Sequence, residues 1–393
     1  MSAVEQMINE VRRLAPLLES EAPAAEAAGQ VTGRAIDALR EAGVLGMLAP
    51  QECGGLDLGP VDALRVFAEL SRADGSAAWV VAASTITAKI LHLLDAGTVK
   101  RFYADGIPIM AGQIAPFGTA VPVPGGYRIS GQWSYGSGIL HADYVCTAAM
   151  VDDGGDRDGD GDGGPDGASR MIEFIVPIEV VKLGGNWDVL GLKGTGSVDY
   201  ALDDVFVPDE HIMENFKTAE PKWGGRSALI GLTGWFTFAH TGWALGVGRR
   251  ALDEIAAHAK RPSGRGTRLA DDGSFKEGYA IAEAKLRSAQ AWAYDVWGEI
   301  ERSVEAGRQP TTRQHTLART ASVHLHDVDV EVAAFAFQQG GGAALRSGAL
   351  QRAFRDVMAG GQHIQVSHQK YHDCARDLLG EAEGLVWRVH ELG

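Results

Sequence analysis

Apolar residues recur three and four positions apart over the first hundred residues, which is the spacing of one face of an α-helix. The stretches VTGRAIDALREAGVLGML and VDALRVFAELSRADGSAAWVVAAS show this spacing most clearly. The second stretch follows Gly59-Pro60, a pair typical of a turn that leads into a helix. Residues 1–110 are therefore predicted to form a helical domain.

The pattern changes near Met110, where short β-type runs begin, separated by glycine, proline and aspartate. The runs GGYRISGQW, ADYVCTAAMV, RMIEFIVPI and SVDYALDDVFVP each predict a short strand, and such a group indicates a small β-barrel or sandwich. We expect residues 111–215 to form a β-barrel domain. An Asp/Gly-rich stretch at 152–169 separates two of the runs and is predicted to be a long hairpin loop.

Helical spacing returns from residue 216 to the end, in three long stretches. They are WFTFAHTGWALGVGRRALDEIAAHA, YAIAEAKLRSAQAWAYDVWGEIERSVEAG and LARTASVHLHDVDVEVAAFAFQQ, each long enough to cross a bundle. The predicted fold class is α+β, mainly α, with an N-terminal helical domain, a central β-barrel and a C-terminal four-helix bundle. Within the first stretch, Gly246-Val247-Gly248 loosely fits a dinucleotide motif, but its helical context favours close helix packing.

Charge and composition exclude several classes of function. The 36 basic and 51 acidic residues give a net charge of −15, which argues against a nucleic-acid partner. No apolar run is long enough to predict a membrane span, and the N-terminus lacks a signal-peptide layout, so we expect a cytoplasmic protein. Three distant cysteines indicate neither a disulfide framework nor a zinc site, and His368 and His372 lack a third ligand, so no metal is expected.

Four stretches, spread over nearly the whole chain, resemble the acyl-CoA dehydrogenase superfamily. They are GGLDLGPVDALRVFAELSRADGSAAW, GGYRISGQWSYGSGILHADYV, NWDVLGLKGTGSVDYALDDVFVPDEHI and QQGGGAALRSGALQRAFRDVMAGGQH. Their order matches the helix–sheet–helix layout derived above. The resemblance implies an acyl-CoA dehydrogenase-like fold.

The dehydrogenases of that superfamily need a carboxylate base to remove a proton beside the thioester. Here the stretch after Arg355-Asp356 has no acidic residue, and the alternative base position falls near Phe236 or Thr237. Instead RDVMAGGQH ends in His363, and this pattern is similar to the two-component (group D) flavin-dependent monooxygenases, such as the phenol and steroid-ring hydroxylases. The turn from Trp133 to Gly138, WSYGSG, also resembles theirs.

The resemblance implies roles for eleven residues. In catalysis, His363 is expected to act as a general base and Ser137 to form a hydrogen bond near the flavin N5 atom. The expected flavin-binding residues are Trp133, Ser137, Gly138, Thr195, Gly196, Ser197 and Arg261. The expected substrate-pocket residues are His92, Phe236 and His240.

The function implied is hydroxylation of an aromatic or similar small organic substrate with O2. The reduced flavin, FMN or FAD, is expected from a separate NAD(P)H-dependent flavin reductase. A homotetramer is implied, in which a neighbour's C-terminal region completes each flavin site. Two alternatives stay open: an acyl-CoA dehydrogenase-type oxidoreductase with a displaced base, and a non-catalytic binding protein of the same fold. Carbon, nitrogen and sulfur oxygenation are equally compatible with the sequence.

Overall fold

The structure is a computed structural model that describes residues 2–152, 170–214, 216, 219–262 and 266–393. Its N-terminal part is helical, as predicted, and ends before the first strand. The helices are α1 (Ala3–Ala28), α2 (Gly33–Glu41), α3 (Pro60–Ala73), α4 (Gly75–Thr87) and α5 (Ala96–Phe102).

The stretch that reads as one long amphipathic helix forms two, because the chain breaks at Asp74. This residue has an extended backbone, and its carboxylate accepts a hydrogen bond from the Ala77 amide at 2.8 Å. It therefore caps the start of α4, as aspartate commonly does. Helix α4 therefore starts anew after this break, and it carries Trp79, which is half-buried.

The central region is a sheet of eight strands in which neighbours are mostly antiparallel. The strands are β1 (Met110–Ala111), β2 (Gly118–Val123), β3 (Gly126–Trp133), β4 (Tyr144–Val151), β5 (Met171–Pro177), β6 (Lys182–Leu183), β7 (Tyr200–Pro208) and β8 (Ile212–Glu214). Their order is β6-β7-β3-β2-β4-β5-β8, and β1 pairs with β4. Strands β4 and β5 form the predicted antiparallel hairpin, whereas the loop expected at 152–169 lies, after Asp152, outside the described residues.

The rest of the described chain is a second helical region with a short terminal hairpin. The helices are α6 (Gly225–Ala228), α7 (Gly231–Ala259), α8 (Gly273–Glu305), α9 (Thr312–Ala344), α10 (Ala349–Gly360) and α11 (Gln369–Leu378), followed by β9 (Trp387–Arg388) and β10 (Glu391–Leu392). Helix α7 packs against α3, α4, α9 and α10. This arrangement confirms the predicted α+β, mainly α fold.

One helical stretch in the described part of the chain, Gly75–Leu93, has the length and hydropathy of a membrane span. Residues within the protein bury 83% of its most apolar window. It consists of α4 and the short 3₁₀ turn after it, and α4 packs against both α3 and α7. An apolar helix enclosed in this way is typical of the core of a large globular protein.

Candidate active site

Two glycine-containing turns of the sheet region lie side by side and form the base of the site. One follows β3 and carries Ser137, and the other precedes β7 and carries Thr195 and Ser197. The Gly138 amide donates to the Thr195 carbonyl at 2.9 Å, which ties the turns together. Gly138 has a φ of 75°, and a Cβ there would lie 2.9 Å from Val80 of α4, so only glycine fits this contact.

A chain of hydroxyl groups runs through both turns. Trp79 Nε1 donates to Ser137 Oγ at 3.1 Å, Ser137 Oγ lies 2.9 Å from Ser197 Oγ, and Ser197 Oγ lies 2.7 Å from Thr195 Oγ1. Thr195 donates to the Leu192 carbonyl at 2.9 Å. Because that carbonyl can only accept, each hydroxyl proton points toward Leu192. Ser137 therefore gives its proton to Ser197 and retains an oxygen lone pair for a donor.

Trp79 also contacts the imidazoles of the site. Its ring centre lies 5.4 Å from that of His240 on α7 and 5.9 Å from that of His363, which follows α10. The His240 and His363 rings are 4.2 Å apart and tilted by 36°. The structure thus brings together Ser137, Thr195, Ser197, His240 and His363, five of the eleven residues predicted from the sequence.

Both imidazoles are electrically neutral at neutral pH. Burial, with smaller effects of His326 and Lys370, lowers the pKa of His363 to about 4. Burial and the neighbouring His363 hold the pKa of His240 well below its ordinary value. His363 Nδ1 accepts from the Gln365 amide at 3.2 Å, so the proton of its neutral ring lies on Nε2. His240 Nδ1 is buried and has no hydrogen-bond partner among the described residues.

Phe236 lies one helical turn before His240 on α7 and forms an apolar wall beside the histidines. Its ring is 6.3 Å from that of His390, whose Nδ1 lies 3.0 Å from Gln365 Nε2. Gly196 lies within the second turn, between Thr195 and Ser197, with a φ of 57°. The side chains that line the site therefore carry aromatic rings, imidazoles and hydroxyl groups.

Three predicted residues lie away from this cluster. Trp133 is only 1% exposed, stacks on Tyr200 and donates to the Ala148 carbonyl at 2.9 Å, so it supports the turn from inside the sheet. Arg261 is exposed just beyond α7, roughly 30 Å along the helix from His240. His92 is buried beside Trp223. It follows Trp79 by 13 residues along α4 and the next 3₁₀ turn, which corresponds to about 20 Å of helix.

Sequence reasoning missed Trp79, Gln365 and His390. Trp79 lies in the stretch GSAAW, where it reads as one more apolar residue of a core helix. Its indole N–H shows its role only when Ser137 is placed beside it. Among the described residues, no group of three or more histidine, cysteine, aspartate or glutamate side chains is arranged to hold a metal ion.

Comparison with known proteins gives the chain a family. Residues 3–101 match the acyl-CoA dehydrogenase N-terminal domain, and residues 238–368 match the acyl-CoA dehydrogenase C-terminal domain. The chain is 30% identical to indole-3-acetate monooxygenase of Pseudomonas putida, with 88% of this chain and 86% of the relative covered. It is 28% identical to a pigment production hydroxylase of Rhodococcus erythropolis, with 95% and 96% covered.

A further relative is the oxygenase component of an FADH2-dependent resorcinol hydroxylase of a Rhizobium species, 25% identical, with 96% of this chain and 93% of the relative covered. Two crystal structures share the fold. They are 3-HSA hydroxylase from Rhodococcus sp. RHA1 (22% identity, TM-score 0.86, 95% and 97% covered) and XiaF from Streptomyces sp. in complex with FADH2 and glycerol (19%, 0.85, 96% and 96%). The chain therefore belongs to the acyl-CoA dehydrogenase superfamily, among its flavin-dependent monooxygenases.

Proposed function

We propose that this protein is the oxygenase component of a two-component system that hydroxylates a small aromatic substrate. Reduced FMN or FAD comes from a separate NAD(P)H-dependent flavin reductase, and O2 supplies the oxygen atom. The observation that carries the proposal is the meeting of the directed hydroxyl chain with two neutral histidines around Trp79. The relatives named as oxygenases and hydroxylases support it.

The residues present fit a reduced flavin better than an oxidised one. A reduced flavin ring bears an N–H group at N5, where the oxidised ring has a bare acceptor nitrogen. Ser137 Oγ already donates its proton to Ser197, so the lone pair that remains suits a ligand N–H. Ser137, Gly138, Gly196 and the two hydroxyls beyond them are the residues that we propose to hold the ring. When bound, the reduced flavin supplies the electrons that activate O2.

The other wall suits an uncharged aromatic ring that carries one O–H or N–H group. Phe236 and Trp79 offer apolar contacts, and His240 and His363 lie side by side against Trp79. We propose that these histidines orient the polar group and that His363, the predicted base, takes its proton during the reaction. The lowered pKa of His363 makes this protonation transient, because the buried cation has no carboxylate hydrogen-bonded to it among the described residues.

Acyl-CoA dehydrogenase activity has less support. It needs a carboxylate base at the site, yet no aspartate or glutamate side chain forms a hydrogen bond with Trp79, His240 or His363 in the described residues. Thr237, at one of the two expected base positions, donates to the Thr233 carbonyl of its own helix. The residues observed therefore favour oxygenation.

The distant position of Arg261 supports a homotetramer. It is too far from its own His240 to reach the same flavin, so we propose that it contacts the flavin phosphate of a neighbouring subunit. His92, which is buried beside Trp223, remains a proposed residue of the substrate pocket. We expect the protein to work in the cytoplasm, where NAD(P)H-dependent reductases supply reduced flavin.

The test is anaerobic titration of the purified protein with FMNH2 and FADH2, followed by turnover of simple phenols and indoles under ¹⁸O2. We expect tight binding of one reduced flavin and one ¹⁸O atom in the product. Ser137→Ala should lower the yield of product per reduced flavin about tenfold, the usual effect of one lost hydrogen bond to a ligand. Ser288→Ala, an exposed serine on α8, is the matched control. Failure to bind either reduced flavin would refute the proposal.

A further inference from the structure

Asp356 on α10 lies where three segments of the site meet. It is 2% exposed and seven residues before His363 in the chain. Its Oδ1 accepts from the Leu192 amide at 2.6 Å, and Leu192 begins the turn that carries Thr195 and Ser197. The Asp356 carboxylate thus links α10, which leads to His363, to the turn that carries the Thr195 and Ser197 hydroxyls.

The same carboxylate also lies against the start of α4. A Cβ on Gly75, the first residue of α4, would be 3.1 Å from Asp356 Oδ2, so these groups are in close contact. The Gly75 carbonyl in turn accepts from Trp243 Nε1 of α7 at 2.9 Å. Because α4 carries Trp79, the position of Asp356 affects the indole that donates to Ser137.

The turn itself packs directly on the backbone of α10. A Cβ on Gly191 would lie 1.9 Å from the Arg355 carbonyl oxygen, so no larger residue fits there. Arg355 Nη1 donates to the Leu190 carbonyl at 3.0 Å. The Leu192 carbonyl is the group that ends the hydroxyl chain, so Asp356 holds the residue from which the chain takes its direction.

We propose that Asp356 is a positioning residue that keeps the hydroxyl chain, Trp79 and His363 in one arrangement. It does not contact the reacting atoms, and it acts through Leu192 and Gly75. Its consequence for flavin affinity rests on the proposed function, whereas its effect on the order of the turn does not.

The charges around Asp356 make this tie sensitive to pH. Two carboxylates face Asp356: Asp74, just before α4, and Glu26 of α1. The positive charge of Arg355 on α10 acts against their effect. Arg352 lies 3.9 Å from Asp74. Burial, and then Asp74, raise the pKa of Asp356 to about 7. The ionised carboxylate is the stronger acceptor for the Leu192 amide, so the turn should become more ordered as the pH rises through 7. The contribution of Asp356 to the free energy of unfolding changes in the opposite direction. It decreases as the pH rises from the ordinary carboxyl pKa to about 7, because the carboxyl group ionises at lower pH in the unfolded chain than in the folded protein.

The experiment is hydrogen–deuterium exchange of the flavin-free protein, with the amides of residues 190–198 as the main readout. Asp356→Ala should speed their exchange about tenfold, the effect of one lost hydrogen bond to a charged group, and weaken binding of FMNH2 or FADH2 by a similar factor. Asp356→Asn retains an acceptor and should restore most of the protection. It should also abolish the dependence of protection on pH between 6 and 8. Asp105→Asn, at an exposed position, is the control.

Exchange in Asp356→Ala equal to that of the wild type and the control would overturn the inference. If the alanine variant exchanges rapidly everywhere and is therefore unfolded, the asparagine variant decides: protection that still changes with pH as in the wild type overturns the inference. If the wild type binds no reduced flavin, the proposed function fails, but the exchange result still decides whether Asp356 orders the turn.

Discussion

In the hydroxyl chain, the Leu192 carbonyl determines whether the Ser137 oxygen donates or accepts a hydrogen bond, although the two groups do not touch. Thr195 donates to Leu192, Ser197 must then donate to Thr195, and Ser137 must donate to Ser197. The Trp79 N–H occupies one lone pair of Ser137 and leaves the other open. Selectivity for a ligand with an N–H group is therefore a property of three hydroxyls together rather than of Ser137 alone.

Thr195→Val tests this directed chain, because valine keeps the shape of threonine and removes the hydroxyl. Ser197 then loses its acceptor, and Ser137 becomes able to donate. We expect the ratio of the dissociation constants of oxidised and reduced flavin to fall about tenfold, as for one hydrogen bond to a ligand. Thr320→Val is the control, since Thr320 lies on α9, away from the two turns, and donates to the Thr316 carbonyl of its own helix. A ratio unchanged in Thr195→Val would show that the direction of the chain is irrelevant.

The structure brings predicted residues together from the glycine-containing turns and also from the helical region, where His240 and His363 lie. Ser137, Thr195 and Ser197 have backbones that the glycines constrain, so their neighbourhood followed from the motif. The Trp133 side chain points to the interior of the sheet, where it stacks on Tyr200. A strand alternates its faces, and the sequence of one strand does not show which face its partners cover.

Among the helices, α7 positions the site through its close approach to α3. A Cβ on Gly246 would lie 2.2 Å from the Ala68 carbonyl oxygen and 2.5 Å from the Arg72 amide, both backbone atoms of α3. The pattern Gly246-Val247-Gly248 is therefore a contact between helices, as its helical context indicated. His240 and Phe236 lie before Gly246 on the same helix, so this contact also fixes their position.

Gly246→Ala should destabilise the protein although alanine is the better helix former. The clash with backbone atoms of α3 should lower the free energy of unfolding by about 2 kcal/mol or more, as overpacking does. Gly298→Ala on α8 is the control, since its Cβ meets only the end of Arg302 at 3.5 Å. It should raise the free energy of unfolding by up to about 1 kcal/mol. Urea unfolding measures both, and a Gly246→Ala protein as stable as the wild type would disprove the close contact.

The periodicity of apolar residues predicted the elements because most helices bury one face only. It did not predict the break at Asp74, since the apolar spacing continues across it and the cap is a local hydrogen bond. Nor did it place Arg261 and His92, which lie far along their segments from Trp79. Their positions depend on how the segments cross, which is a matter of packing between elements rather than within them.

At the scale of the whole molecule, residues 387–392 form a strap across the second helical region. Trp387 Nε1 donates to Thr316 Oγ1 at 2.9 Å, the Val389 amide donates to Thr233 Oγ1 at 2.9 Å, and Lys370 Nζ donates to the His390 carbonyl at 2.5 Å. The buried Arg319 also donates to the Val389 carbonyl. The strap thereby takes His390 to Phe236 and Gln365 within the same chain.

His390→Ala should weaken the binding of the aromatic substrate and leave the flavin unaffected. We expect KM for the substrate to rise about tenfold, with an unchanged dissociation constant for reduced flavin, because His390 borders Phe236 and not the hydroxyl chain. Arg388→Ala, an exposed residue of the same strap, is the control. Equal KM values for the two variants would remove His390 from the substrate pocket.

The contact between Trp79 and His363 joins residues about 280 positions apart in the chain. At about 5 to 20 residues per second, synthesis of the intervening segment takes roughly 15 to 60 seconds. Throughout that interval the growing polypeptide holds the indole without His363. The full arrangement of the indole and both imidazoles can therefore form only after 363 of the 393 residues have been made.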